Sequence, residues 1–436
     1  MDSALNSGDT AWVLASAALV LIMIPGLAFF YGGMLRSKTV LNMLMMVMGA
    51  LFIVGVLWVA YGYSVAFGGD PESSPLLGSF SEFAFLNGLM ADNPEASLPV
   101  MAFVAFQAMF ACITVGLIAG SVADRMKFSA WMVFSALWAT LVYFPVAHWV
   151  WASGGWIFQL GVIDFAGGTA VHINAGAAGL ALAIVLGRRL GWPKTPMKPS
   201  NLPLVMIGAG LLWFGWFGFN AGSELAADGT AALVWVNTTV ATCAAMMGWL
   251  ALEKIRDGHF TSIGAASGVV AGLVAITPAC GALSPMGSII LGLVAGAASA
   301  YAVGLKFRFG FDDSLDVVGV HLVAGLWGTI GAGLLSTTSG LFYGEGVKQT
   351  VIQIVVALAS LIVSGVVTAV IAYALKATMG WRVSSDDETA GIDNSEHAET
   401  AYDLVARGGR LGVTGSGPVH DARHHTEPAT TEGVTR

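Results

Sequence analysis

Eleven runs of predominantly apolar residues follow one another along this chain, at 10–35, 40–67, 98–123, 128–149, 164–187, 202–223, 230–252, 260–280, 285–305, 316–336 and 350–376. Crossing the hydrocarbon layer of a bilayer takes about 20 residues of helix, and each run comes close to that or exceeds it. A single run of this kind fits a buried core helix. Eleven in 436 residues do not, because no soluble fold has the interior to hide them. Charged residues make up only 11% of the chain, against about 25% in ordinary soluble domains, so a water-facing surface is missing as well. The expectation is an all-α polytopic membrane protein over residues 1–380, followed by a polar tail at 381–436 in which order extends to about residue 402. The first run is read as a retained helix: acidic Asp2 and Asp9 precede it where a secretory leader would be basic.

Basic residues set the expected orientation. They fall at Arg36/Lys38, Arg125/Lys127, Arg188/Arg189/Lys194/Lys198, Lys254/Arg256, Lys306/Arg308 and Lys376/Arg382, and then in the tail. Of the 19, only Lys348 lies in a connection from an even run to an odd one. By the positive-inside rule the N-terminus is outside and the C-terminus cytoplasmic. A missed helix would scramble this alternation, so the charges also support the count of eleven. The loop at 68–97 is purely acidic, with Asp70, Glu72, Glu82, Asp92 and Glu95. Cys112, Cys243 and Cys280 show no paired spacing and read as small hydrophobes. His420, His424 and His425 sit in a polar tail and read as solvated.

Two segments share a pattern. "DFAGGTAVHINAG" (164–176) and "DVVGVHLVAG" (316–325) each run from an aspartate to His-x-x-Ala-Gly, in the fifth and tenth runs, which cross in opposite directions. Runs 1–5 and 6–10 are therefore expected to be inverted halves, with run 11 outside the repeat. Such proteins place their site at the interface of the halves. His172 and His321 both project from glycine-rich stripes that allow helices to approach closely. A single membrane histidine is more often a hydrogen-bonded core residue. Two at matching places of an inverted repeat favour a functional pair, since ionisable groups at membrane depth carry function by default. A neutral imidazole has one donor and one acceptor, so two in contact can share or pass a proton.

Aromatic stripes accompany the histidines. In "FVAFQAMF" Phe103, Phe106, Gln107 and Phe110 share a helical face, and in "WFGFNAGS" Trp216, Phe219, Asn220 and Ser223 do so. Packing alone explains most such stripes. Here each carries a polar group beside its rings, and aromatic faces attract cations. Trp149 and Trp151 lie at a membrane boundary, where an interfacial belt is also expected. The chain has no phosphate-binding loop, dinucleotide fingerprint or nucleophile elbow, and its basic residues are confined to one side. No cofactor, metal, nucleic-acid partner or enzymatic activity is expected. A haem protein with histidine axial ligands would need a further ligand set, and none is evident.

Taken together, "DFAGGTAVHINAG", "WFGFNAGS", "ITPACG", "FDDSLDVVGVH" and "GIDNSEHAETAY" resemble the ammonium transporter (Amt) family, from the first run to about Tyr402. The resemblance implies eleven helices and a homotrimer in the cell membrane, with one pore per subunit for ammonium or ammonia. It places an outer recruitment site on Phe110, Trp151 and Ser223, and an occluding gate on Phe110 and Phe219 with Trp216 alongside. The pore would carry His172 and His321, with Gln107 near the path and Asp164 ordering the outer site as structural support. The related Rhesus proteins lack the recruiting tryptophan and serine, which are present here. The segment Gly391–Tyr402 is similar to one that contacts a neighbouring subunit and helps a PII-type regulatory protein close the pore. An ammonium sensor signalling through its tail is the alternative function.

Overall fold

A computed structural model describes all residues except 1–4, 92–95, 403–405, 408–409 and 412–436. The tail histidines and most of residues 403–436 therefore lie outside the described residues, as do Asp92 and Glu95. Eleven apolar helices account for the body of the chain. They are α1 (Ser7–Met34), α2 (Val40–Phe67), α3 (Val100–Val122), α4 (128–151), α5 (Gly168–Leu186) and α6 (Leu202–Ala221). They continue with α7 (Gly229–Asp257), α8 (Ser262–Ile276), α9 (Pro285–Ala302), α10 (Val318–Leu335) and α11 (Lys348–Thr378). Ten of the eleven are long and apolar enough to cross a membrane, and α8 is a shorter apolar helix of 15 residues. Its run continues to 280 in the sequence, but Pro278 cannot extend a helix, and the chain turns at Thr277. The only strands among the described residues are the two-residue pair Ala406–Arg407 and Arg410–Leu411. The protein is a multi-pass membrane protein.

The helices start where the sequence supplies caps. Asn6, Asn201, Asp228, Thr261 and Ser284 each accept backbone N–H groups at the first turn of α1, α6, α7, α8 and α9. In lipid an open N–H has no water to turn to, so these caps matter more than in a soluble helix. The halves pair as an inverted repeat requires: α1, first of its half, packs along α6, first of the other, and α5 crosses α10 at the centre. Glycine permits that crossing. A Cβ on Gly176 would lie 2.6 Å from Leu322 of α10, and one on Gly325 would lie 3.1 Å from the Cβ of His172.

At the end of the bundle that carries the basic loops, a buried network ties the halves together. Arg189 reaches Asp312 through Nε and Nη2 at 2.9 and 2.8 Å, and Asp124 through Nη1 at 3.0 Å. Arg125 donates to the carbonyl of Asp312 and the hydroxyl of Ser314, each at 2.6 Å. Burial works against the charge on Asp312, but the Arg189 fork outweighs it and holds the carboxyl below its usual range.

The tail follows this end. Helices α12 (Ser385–Ala390) and α13 (Ile392–His397) lie across the loops of their own chain. An acidic segment beneath basic loops could dock through ion pairs, but the mode is different. One ion pair forms, Arg382 to Glu388 at 2.7 Å. Carboxylates of the tail also accept backbone N–H groups: Glu388, through its other oxygen, from Leu190 at 2.6 Å, Asp393 from Asn42 at 2.8 Å and Glu396 from Phe128 at 2.9 Å. These bonds join the starts of α2 and α4 and the loop after α5 into one surface.

Candidate functional site

The crossing of α5 and α10 is not made of regular helix. Residues Gly168–Ile173 and Val318–Leu322 form π turns, each holding its histidine, before α-helix resumes at Asn174 and Val323. A π turn inserts an extra residue and rotates the following side chain away from its α-helical position, and such turns recur at functional sites. Here both rotations point an imidazole at the other. His172 and His321 have Nδ1 atoms 3.4 Å apart, ring centroids 5.5 Å apart and planes 19° from parallel. Both are buried. For two neutral rings this contact requires one to donate from Nδ1 and the other to accept there, with its own proton on Nε2.

The rings continue into a line. Trp216 stacks on His172 at 5.4 Å and 14°, and Phe219 lies 6.0 Å from His172. Phe219 meets Phe110 at 4.2 Å and 31°, and Trp151 stands edge-on to Phe110 at 5.9 Å and 87°. Six of the side chains singled out in the sequence thus form one continuous column, from Trp151 through Phe110, Phe219 and His172, flanked by Trp216, to His321. Trp216 touches both neighbours, 5.1 Å from Phe219 and 5.4 Å from His172. Ser223 stands beside the column, its Oγ donating to the carbonyl of Phe219 at 2.8 Å. With the hydroxyl proton so used, its lone pairs face outward as acceptors. Gln107 is buried on the same helix as Phe110, one turn away, and its Oε1 has no partner among the described residues.

Asp164 works on the backbone. Its carboxylate accepts from the amides of Gly167, Gly168 and Thr169 at 2.8, 2.5 and 2.8 Å, and from the Thr169 hydroxyl. Its own carbonyl receives the Trp151 indole at 3.2 Å, so one residue fixes both the start of α5 and the ring over Phe110. The repeat places a counterpart at Asp313, whose Oδ2 accepts from the Val318 amide at 2.7 Å at the start of α10. Sequence alignment of the two motifs had paired Asp164 with Asp316. That residue instead adopts a left-handed φ of 62° and bonds Lys306 at 2.6 Å. Asp313 and Asp164 each stand eight residues before their histidine. Burial, with Asp316 nearby, pushes the Asp313 carboxyl up to about 6.

Two features escaped sequence reasoning. Thr277, at the turn ending α8, accepts the Trp216 indole N–H at 2.9 Å and lies 3.2 Å from Asn220 Oδ1. Asn220 in turn donates to Thr238 at 3.0 Å, so its place on the aromatic stripe is structural. The quoted "ITPACG" contained the signal, a hydroxyl beside a helix-ending proline. Phe103, read as part of the same face as Phe110, turns the other way and meets Phe67 at 4.9 Å, while Phe106 packs on Phe110 at 4.8 Å. Beyond His321 a cavity of about 180 Å³ opens toward the basic end, bordered by Tyr31, Glu253, Arg256 and Asp316. The described residues contain no group of His, Cys, Asp and Glu fit to hold a metal ion.

The family model of the Ammonium Transporter Family matches residues 11–402. An ammonium transporter of Mycobacterium tuberculosis is 54% identical, with 93% of this chain and 92% of that protein covered. One from Aquifex aeolicus is 47% identical, covering 92% of this chain and 95% of that protein. Among solved structures, Mep2 of Saccharomyces cerevisiae superposes with a TM-score of 0.81 at 32% identity, covering 88% of each chain. A structure described as a sensor Amt protein superposes with a TM-score of 0.83 at 27% identity, covering 89% of this chain and 98% of that one. With its eleven helices, its paired histidines and relatives of this similarity, the chain belongs to the ammonium transporter family.

Proposed function

We propose that the chain takes up ammonium at the Trp151 end, removes its proton near the phenyl gate, and passes ammonia along the histidine pair. The observation that carries this reading is the unbroken ring column ending in two imidazoles in direct contact. Trp151 and Phe110 offer aromatic faces to a cation, and Ser223 offers an acceptor. Past the stacked Phe110 and Phe219 the path is apolar, and desolvation favours the neutral form of an amine. An alkali ion has no proton to lose and stops there. His172 and His321 supply polar atoms along the path, and a proton released above them has the imidazole pair to follow. His172 Nε2, without a partner among the described residues, can bond a passing ammonia. Gln107 adds an acceptor beside the gate, and Asp164 supports the site without touching substrate.

Residues 1–380 are the transport domain and the segment from 381 is a cytoplasmic tail. The N-terminus lies outside, the bundle sits in the cell membrane, and three copies assemble with one pore each. The tail surface formed with the starts of α2 and α4 and the loop after α5 is where a PII-type regulatory protein would act. That same docking supports the alternative of an ammonium sensor, since it links the tail to the first residues of α2.

Current across a solid-supported membrane carrying proteoliposomes tests the reading. An ammonium pulse should give a transient that the His172→Ala/His321→Ala variant abolishes, and potassium should give none. Replacing His172 with Asp should admit potassium. A fast internal pH rise without current would mean that neutral ammonia crosses alone and that the histidines only shape the pore. For the sensor reading, removing the tail would leave uptake intact and abolish the cellular response to ammonium.

A further inference from the structure

A third buried histidine, His148 in the last turn of α4, belongs neither to the ring column nor to the histidine pair. Its two ring nitrogens meet two backbone carbonyls. Nδ1 lies 2.9 Å from the oxygen of Ala66, in the last turn of α2, and Nε2 lies 2.6 Å from that of Ser74, in the 68–97 loop. A carbonyl oxygen only accepts, so both nitrogens have to donate, whereas a neutral imidazole carries a single N–H. Turning the ring over would set C–H groups against both oxygens and lose both bonds. Either neutral tautomer leaves a nitrogen lone pair facing an oxygen lone pair at hydrogen-bond distance. His172 and His321 need no second proton, because each offers the other a donor or an acceptor. The elements packed on this turn bring no Lys or Arg. Their carboxylates are Asp70, Glu72 and Glu82 of the loop and Asp164 before α5, and their phenols are Tyr61 and Tyr63 of α2 and Tyr143 of α4 itself. Glu82 accepts the Gly69 amide, and Asp164 accepts those of Gly167, Gly168 and Thr169. The surroundings are thus acidic, and both ring nitrogens are taken by carbonyls.

The same loop meets the end of α4 again nearby. The Trp149 indole donates to the Leu76 carbonyl at 2.6 Å, and the Trp156 amide to that of Pro75 at 3.0 Å. Trp151 stands one turn beyond His148, edge-on to Phe110. We propose that His148 carries both protons and, as an imidazolium, clamps the outer loop to the ends of α2 and α4, which fixes Trp151 over Phe110. Loss of one proton replaces one of its two bonds with repulsion, and the loop loosens on the side where ammonium arrives. His148 is thereby a positioning residue that answers to the pH of the outer solution. Its effect on transport rests on the reading of Trp151 as part of the recruitment site; its protonation state does not.

Nitrogen NMR of the full chain in lipid, with labelled histidine and His148→Gln to assign the signal, reads the ring directly. Both nitrogens should bear protons at about pH 6, just below the ordinary imidazole midpoint of about 6.5. A bare nitrogen there would overturn the proposal. The pH is then raised through the interval in which the signal reports the proton leaving. Amide exchange at Gly78 and Trp156, corrected against His148→Gln, should speed up over that interval. The KM for ammonium in proteoliposomes should climb about fivefold with the maximal rate little changed, the equivalent of one hydrogen bond. His148→Gln, with no second proton to lose, should show a flat KM. Unchanged exchange and KM in the wild type would overturn the clamp. If His148→Gln misfolds, the signal is assigned through its contacts to the carbonyl carbons of Ala66 and Ser74, and the wild-type titration decides. A wild type that carries no ammonium at any pH would sink the transport reading and leave the NMR result standing.

Discussion

The two histidine segments share a frame but differ in what surrounds them. Both α5 and α10 begin with a buried aspartate eight residues before the histidine, both pass through a π turn, and both present glycine where they cross. At α5 the aspartate satisfies three amides and a hydroxyl, and its backbone carbonyl anchors Trp151. At α10 Asp313 accepts from the Val318 amide, and its Oδ1 has no partner among the described residues. Above His172 the column is closed by rings, whereas His321 borders a cavity. Inversion therefore supplies the scaffold of the crossing, and the residues added around each half set the direction. On the proposed mechanism, one side would hold and desolvate an ion and the other would release what arrives.

The largest expected effect tests the unequal caps. Asp164→Ala strands several buried donors at once, and each unpaired group costs about 1–3 kcal/mol. Folded protein should all but disappear, read as loss of the monodisperse peak in size exclusion. Asp313→Ala strands fewer donors and should leave a folded protein with a lower melting temperature. It also removes a carboxyl that binds its proton more tightly in the folded state. For such a group stability falls as pH rises from the ordinary carboxylate range through about 6, so that fall should be shallower in Asp313→Ala than in the wild type. Equal damage from the two alanine replacements would mean that the caps are equivalent after all.

A smaller difference should separate the histidines. His172 is enclosed by Trp216, Phe219 and His321, so replacing it with Ala removes its ring nitrogens from a surround built mainly of rings. His321 adjoins the cavity, where water can take over a hydrogen bond. In the supported-membrane assay His172→Ala should therefore lose about tenfold more current than His321→Ala, the equivalent of one well-made hydrogen bond. The reverse order would place the bottleneck below the pair.

The sequence carried the helices and the histidines for a simple reason. A bilayer makes every spanning segment announce itself as an apolar run, and an imidazole in such a run has few structural uses. Positions within the π turns were not legible, because the i, i+4 spacing assumed a regular helix. Its six residues were nevertheless singled out, since they come from five helices whose motifs each named one or two rings. Phe103 went to the wrong face because one helical face is wide enough to serve two clusters. Asp313 was passed over for Asp316 because the nearer aspartate completed a visible pattern. The tail's docking mode was missed because backbone N–H groups at loop and helix starts, unlike Arg and Lys, leave no mark in the composition.

The smallest effect concerns what holds the column straight. Trp216 lies against His172 with its indole bonded to Thr277, and that hydroxyl also sits beside Asn220. Nothing equivalent braces His321 among the described residues, so this bond sharpens the contrast between the halves at a single atom. Thr277→Val keeps the shape and removes the acceptor, leaving the indole N–H buried and unpaired at a cost of about 1–3 kcal/mol. The ring can recover part of this by tilting away from His172, which would loosen the stack without unfolding α6 or α8. The expected result is a melting temperature lowered by a few degrees and a current reduced severalfold, with potassium still excluded because Phe110 and Phe219 are untouched. Thr277→Ser restores the hydroxyl and should restore both readouts. If Ser fails to rescue, the threonine methyl, and not the hydrogen bond, is what positions Trp216.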